Sequence, residues 1–289
     1  MRSRLLAAVI ATICAFWAVF PAPKAAADVK IADSVPADFN YHWVNDPLSQ
    51  ILALTYGNVL HRINGSWFNA PDVPQEARDY AAAGKSLFGP STPIFVGSHA
   101  TAACTLTIAG TDEYGNKVGI SAGHCGNVGD YVFSADTWKT NAHGQVVYKN
   151  PTLDYVIIKF EKNTVVSNSY NGQTINSMGG VPLTGDMVCK QGIATGNTCG
   201  MTLAVEGLSN WSQVCAMWGD SGAPVTEGDR LVGLVSGSVQ GALACQSPLQ
   251  GIFFSPMKSV RMDQILVDMN TLPEGVPGRG FRLVQGTQG

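Results

Sequence analysis

Charge is scarce in this 289-residue chain: Asp, Glu, Lys and Arg together make up 13% of it. The formal net charge is only −3, and no cluster of Lys and Arg forms the kind of basic patch that neutralises phosphates. That argues against nucleic acid and anionic membrane surfaces as partners. Metal-ligand patterns are missing as well: there is no C-x-x-C pair, and His42, His61, His99 and His143 are scattered without ligand spacing. No metal and no cofactor is expected. No apolar run is long enough to span a bilayer; the stretch 5–20 has 16 residues, short of the ~20 a spanning helix needs. What the chain does have is 45% apolar residues, 32 glycines and 15 prolines. Such a composition is too apolar for disorder and too turn-rich for a helical bundle, which leaves an all-β or α+β fold. At roughly 100–200 residues per domain, the length fits one large domain or two modest ones.

Residues 1–27 have the three parts of a secretory signal: Arg2 and Arg4, the apolar run, then Ala25, Ala26 and Ala27 before Asp28. Cleavage after Ala27 would remove three cations, Arg2, Arg4 and Lys24, and no acid, taking the net charge from −3 to −6. It would also remove Cys14 and leave six cysteines: Cys104, Cys125, Cys189, Cys199, Cys215 and Cys245. An even number in an exported chain implies three disulfides, although six cysteines allow about 15 pairings that the sequence alone leaves open. The expected location is secreted or extracytoplasmic, with no membrane contact once the signal is gone, and the expected state is a monomer.

From about 102 to 256 the chain reads as short strands, clearest at 104–109, 118–121, 131–134, 145–148, 156–160, 201–205, 231–238 and 251–254. Turn clusters such as Thr111-Asp112-Glu113-Tyr114-Gly115-Asn116 and Glu227-Gly228-Asp229 separate them. This spacing argues for a sandwich or barrel. A helical period appears near the end, with Met257, Val260, Met262, Ile265, Leu266 and Met269 on one face. Residues 28–92 form a separate N-terminal extension, or a removable pro-segment, with a helix expected to open at Pro74 and run Ala77, Tyr80, Ala81, Gly84 and Leu87 along one side. Trp43, Trp67 and Trp211 read as core residues. The tail 270–289, rich in Gly and Pro, reads as loosely ordered.

Three segments carry chemistry. Gly219-Asp220-Ser221-Gly222 precedes an apolar stretch, Ser121-Ala122-Gly123-His124-Cys125 lies upstream, and Leu153-Asp154-Tyr155-Val156 lies between them. A serine hydroxyl is a poor nucleophile near neutral pH; it needs an adjacent base, and the base needs a group that fixes its tautomer and stabilises its charge. Ser221, His124 and Asp154 supply those three types. The glycines let the backbone turn the N–H groups of Gly219 and Ser221 toward a developing oxyanion. Taken singly, His124 and Asp154 are as well explained by structural roles, and only their company singles them out.

The order His, Asp, Ser with these motifs resembles the chymotrypsin-like serine proteases, and in detail their bacterial secreted branch, the streptogrisins and α-lytic protease. Asn150-Pro151-Thr152-Leu153-Asp154-Tyr155 is similar to that branch's aspartate segment. The stretch Val188-Cys189-Lys190-Gln191-Gly192 with Thr195-Gly196-Asn197-Thr198-Cys199-Gly200 is similar to its cysteine hairpin. Cys215 stands six residues before Ser221, as in streptogrisins. Gly233-Leu234-Val235-Ser236-Gly237-Ser238 resembles its substrate-pairing strand, and Gly251-Ile252-Phe253-Phe254-Ser255-Pro256 its last strand. The likeness covers about 93–269.

The resemblance implies an all-β fold of two perpendicular six-stranded β-barrels, with a C-terminal helix and the N-terminal extension, and a triad of His124, Asp154 and Ser221 in the cleft between the barrels. It implies an oxyanion hole from Gly219 and Ser221, disulfides Cys104–Cys125, Cys189–Cys199 and Cys215–Cys245, and support of Asp154 by Ser236. Substrate contact falls to Val235, Ser236, Gly237, Ser238 and Met217, in pocket walls at 213–219, 235–238 and 249–254. None of these stretches contains an acid, Lys, Arg or His. A neutral, mainly apolar side chain before the scissile bond is therefore expected, since an unpaired buried charge is costly. No I-V-G-G-type start precedes Pro93, so Asp220 needs another cation, and Lys190 stands where the branch has an arginine. Departures are Ala223 for a second glycine, Lys190 for arginine, and the bulky Met217-Trp218. The expected activity is a secreted serine endopeptidase acting on protein or peptide; the alternative is a protease-fold binding protein with an occluded or inefficient site. A lipase or esterase is disfavoured because that fold runs Ser, Asp, His along the chain.

Overall fold

Seven short antiparallel strands build the first of two barrels: Pro93–Val96, Ala102–Thr105, Ile108–Thr111, Lys117–Ala122, Tyr131–Ser134, His143–Asn150 and Tyr155–Phe160. The computed structural model describes residues 42–97, 102–239 and 243–289, all within one compact unit, Ile31–Gly289. The expected signal at 1–27, its cleavage site and Cys14 lie outside the described residues. Ala102–Thr105 and Ile108–Thr111, expected as one strand, are two halves of a bent one. The bend is bridged by Leu106 N–H donating to the Thr92 carbonyl and Thr107 N–H to the Ile120 carbonyl, both at 2.8 Å. Counted together they give six strands, and the pairings run round a ring back to Pro93–Val96. Val156, Ile157 and Ile158 are buried on both faces of their strand, which explains their continuous apolar run.

The second barrel runs Met187–Gly192, Gly196–Glu206, Ser209–Ser212, Met257–Arg261, Arg230–Ser238, Pro224–Glu227 and back to Met187–Gly192, a closed ring of six. Val188, Val214, Val225, Val232, Val235 and Met257 fill it. Gly196–Glu206 alternates buried and exposed residues over its first half, as a strand with one wet face must.

Other expectations about local structure change as well. Met257 and Val260 belong to a strand, and the helix is Met262–Asn270. Closing the barrel between Ser209–Ser212 and Arg230–Ser238 outweighs the helical period there. Residues 251–254 are not a strand: they form a turn after the 3-10 helix Pro248–Gln250. Trp43 is 48% exposed and so is no core residue. The tail is not loose, because Arg282–Leu283 pairs with Ile108–Thr111, Thr287–Gln288 pairs with Val166 and Ser167, and Phe281 and Val284 enter the main core.

The extension is equally built in. Its helix is Gln75–Ala82, with Pro74 at the N-cap and Ala77 buried against Val165 and Tyr170. Leu87 has left the helix for the strand Ser86–Phe88, which pairs in parallel with Thr164–Ser167. Phe88 is fully buried and stacks on Phe160 at 4.3 Å. Burial of such a side chain contributes about 1.5–3 kcal/mol.

Candidate active site

Each barrel delivers part of the site. The strand Lys117–Ala122 ends in a single 3-10 turn, Gly123–Cys125, which lifts His124 out of the first barrel while Cys125 is tied to Cys104. Gly123 cannot be another residue: a Cβ there would lie 2.8 Å from the Asp154 carbonyl carbon and 2.9 Å from its Oδ1. That close approach brings His124 beside Asp154. Asp154 sits at the head of the strand Tyr155–Phe160 with φ +43°, a left-handed conformation that Asp tolerates better than most residues. The Asn150 side-chain oxygen accepts the N–H groups of Thr152 and Leu153, both at 3.0 Å, and so shapes the turn leading to it.

Ser221 Oγ lies 2.7 Å from His124 Nε2, and His124 Nδ1 lies 2.9 Å from Asp154 Oδ2. The His124 backbone N–H donates to Asp154 Oδ1 at 2.8 Å and the Ser236 hydroxyl donates to Oδ2 at 2.6 Å. Burial pushes the Asp154 carboxyl up, but the His124 ring and its charge, the Ser236 hydroxyl and the His124 N–H outweigh it and hold the carboxyl below the usual range. The His124 side chain remains 46% exposed.

The turn before Ser221 is held from beneath. Asp220 is fully buried; its Oδ1 accepts from Ala194 N–H at 2.9 Å and Thr195 N–H at 3.2 Å, and its Oδ2 from the Thr195 hydroxyl at 2.6 Å and Met217 N–H at 3.1 Å. Lys190 Nζ, also fully buried, stands 3.3 Å from Asp220 Oδ2 and donates to the Gly196 carbonyl at 2.9 Å and to the Thr195 hydroxyl. Burial pulls the Lys190 ammonium below its ordinary value and Asp220 pulls it back up. Gly219 takes φ +95° and Gly222 φ +82°. The N–H groups of Gly219 and Ser221 donate to no acceptor among the described residues, so both are available to an oxyanion.

The sequence-predicted residues do not all gather. Ser236, Gly237 and Ser238 lie at the partly exposed end of the strand Arg230–Ser238 and Val235 is buried just before them. Met217, expected with them on the pocket wall, is 8% exposed and packs instead with Ile63, Phe95, Ala103, Ile193 and Ala194. The adjacent Trp218 is the exposed one, at 54%. Loop 249–254 is held by Gln213 Nε2, which donates to the carbonyls of Ile252 at 3.0 Å and Phe254 at 3.1 Å. The disulfides are Cys104–Cys125, Cys189–Cys199 and Cys215–Cys245. Ser121, in the chain's one G-x-S-x-G string, is fully buried with its hydroxyl on the Thr105 carbonyl at 2.8 Å, and is no nucleophile.

Two supporting residues went unseen in the sequence. Thr105, fully buried, donates its hydroxyl to the Gly219 carbonyl at 2.9 Å and accepts from Ile193 N–H at 3.1 Å. Asp268, on the last helix, accepts from Tyr155 at 2.6 Å, Asn150 at 2.9 Å and Tyr148 at 3.3 Å, bracing both flanks of Asp154. The burial of Tyr155, together with its hydrogen bond to the charged Asp268, pushes its phenol far up. Only spatial closeness links either residue to the site, and no motif marks them.

No protein-family model matches the chain. Among solved structures it resembles Nocardiopsis protease, with 23% identity over 63% of this chain and 96% of that one, at a TM-score of 0.50. Thermobifida fusca protease A gives 21% identity, 70% and 100% coverage, and a TM-score of 0.51. A glutamic acid specific serine protease that uses a histidine triad in substrate binding gives 22%, 63% and 96%, and 0.50. The fold is that of the chymotrypsin-like serine proteases. In this chymotrypsin-like frame the first barrel carries His124 and Asp154, the second carries Ser221, and the extension and tail add strands outside the six-stranded rings.

Proposed function

We propose that the protein is a secreted serine endopeptidase. One observation carries the reading: Ser221 Oγ, the His124 ring and the Asp154 carboxylate lie in unbroken hydrogen-bond reach, at 2.7 and 2.9 Å, on the chymotrypsin-like frame. In the proposed reaction Ser221 Oγ attacks the scissile carbonyl carbon and its proton passes to His124 Nε2. Asp154 holds the opposite ring nitrogen protonated and stabilises the imidazolium, with Ser236 keeping the carboxylate charged. The carbonyl oxygen, now negative, takes hydrogen bonds from Gly219 and Ser221 N–H. His124 then returns the proton to the leaving amine, the acyl-enzyme forms, and a water activated by His124 releases the acid.

Extended substrate would pair with 236–238, whose side of the strand is not covered by Pro224–Glu227. The glutamic acid specific neighbour uses histidines for substrate; the three wall stretches here hold none, and no other charge, which favours a neutral apolar residue before the cut. Three disulfides fit an oxidising, extracellular compartment. The exposure of His124 speaks against a site occluded by the described residues. A peptide library tests the reading: the wild type should cut after residues such as Ala, Val, Leu or Met, and Ser221→Ala should not. Cleavage surviving in Ser221→Ala would overturn the mechanism, and a preference for Arg, Lys or Glu would overturn the neutral pocket.

A further inference from the structure

The peptide unit joining Trp218 to Gly219 carries one of the two N–H groups assigned to the oxyanion, so whatever fixes its orientation acts on catalysis. The downstream side of Gly219 is held by the barrels: Thr105 donates to its carbonyl, and Asp220 N–H donates to the Met217 carbonyl at 3.0 Å. The upstream side is different. The backbone N–H and C=O of Trp218 and the N–H of Gly219 make no hydrogen bond among the described residues. Glycine at φ +95° has no side chain to lock it, and the peptide is free to turn unless something packs on it.

What packs on it belongs to the N-terminal extension. A Cβ added at Gly219 would lie 2.8 Å from Ile63 Cγ1 and 3.2 Å from Ile193 Cγ2, so an extension residue and a barrel residue both pack on the side of Gly219 where a side chain would stand. Ile63 is itself buried in the cluster with Met217 and Ile193. The exposed Trp218 ring is pinned by its Nε1–H, which donates to the Asn64 carbonyl at 3.2 Å. Loop 63–67 is in turn fixed to the catalytic body. The Ser66 hydroxyl donates to the Ala194 carbonyl at 2.6 Å, Trp67 N–H donates to the Gln246 carbonyl at 2.7 Å, and the Arg62–Asp136 ion pair beside it is buried at 3% and 0% exposure.

Accepting the protease reading, we infer that the N-terminal extension stays in the working enzyme and that its loop 63–67 braces the Trp218–Gly219 peptide in the oxyanion-binding orientation. Ile63 and Asn64 are positioning residues; they touch neither nucleophile nor base. Removal of 42–92 would strip the parallel strand Ser86–Phe88 from Thr164–Ser167, uncover Phe160 and take Arg62 from Asp136, which is not how a disposable pro-segment is attached.

Intact mass and N-terminal sequencing of the secreted protein, with three forms of the full chain, test this. The wild type should retain 42–92. Ile63→Ala should lower kcat on a peptide substrate roughly tenfold, less than the loss of a whole oxyanion donor, while KM stays within about twofold. It should also move the Gly219 amide resonance in 15N-glycine-labelled protein. Tyr56→Ala, at a 96% exposed extension residue, should change neither. A fully active secreted form beginning near residue 93, or Ile63→Ala with unchanged kcat and an unmoved Gly219 resonance, would overturn the brace. A wild type that hydrolyses nothing would refute the protease reading instead, and the Gly219 resonance would still decide the brace.

Discussion

Two aspartates stand close to Ser221, Asp154 through the His124 ring and Asp220 as its neighbour in the chain, and their surroundings differ in almost every respect. Asp154 keeps a 24% exposed side chain and faces an imidazole that changes charge in the proposed reaction. Asp220 is sealed beneath the turn that carries Ser221, with four protein N–H and O–H donors and a buried ammonium around it. The same side chain is thus an adjustable partner in one place and a fixed peg in the other. Loss of charge should damage chemistry at Asp154 and the folded state at Asp220.

The largest expected effect separates them on activity. Asp154→Asn should reduce kcat/KM about 10⁴-fold, because His124 would be left in the wrong tautomer, with a loss of thermal stability that is small beside that at the Asp220 clamp. A variant that unfolds instead, or keeps a tenth of its activity, would erase the distinction. Next, Lys190→Met leaves Asp220 buried without its cation and should cost about 3–5 kcal/mol in denaturant unfolding. By contrast, breaking the exposed Arg78–Asp72 pair, at 50% and 47%, with Asp72→Asn should cost under about 1 kcal/mol. Equal losses in the two would mean that burial does not set the strength of the Asp220 clamp.

Smaller effects concern Ser236 and acid. The folded Asp154 carboxyl titrates below its unfolded value of 3.8, so it adds stability above that pH and the gain drains away as pH falls below 3.8. Ser236→Ala removes one donor and should narrow that difference, shrinking the stability lost on acidification, and should cost roughly tenfold or less in kcat/KM. An acid unfolding curve unchanged by Ser236→Ala would show that the hydroxyl does not hold the carboxylate.

Asp154 and Asp220 also differ in how far their roles could be read in the sequence. Asp154 and its partners stand in short strings whose order and spacing mark them, and the three disulfides followed from the same resemblance. Thr105 and Asp268 were invisible because their contacts join segments more than 80 residues apart and their residue types are common. Met257 and Val260 fitted a helical period equally well, and only barrel closure decided for a strand. Phe281 and Val284 are too few to signal order in a Gly- and Pro-rich tail, yet both are buried in the main core. The burial of Met217 beside Ile63 has no signal in the sequence, because Ile63 comes from the extension, about 150 residues upstream.

The central claim is that His124 and Asp154 activate the Ser221 hydroxyl, and a fluorophosphonate probe followed by peptide mapping measures it directly. The purified protein should label once per chain, on Ser221, and His124→Ala should slow labelling by several orders of magnitude. Labelling elsewhere, no labelling of a folded wild type, or a His124→Ala protein that reacts at the wild-type rate would contradict the claim.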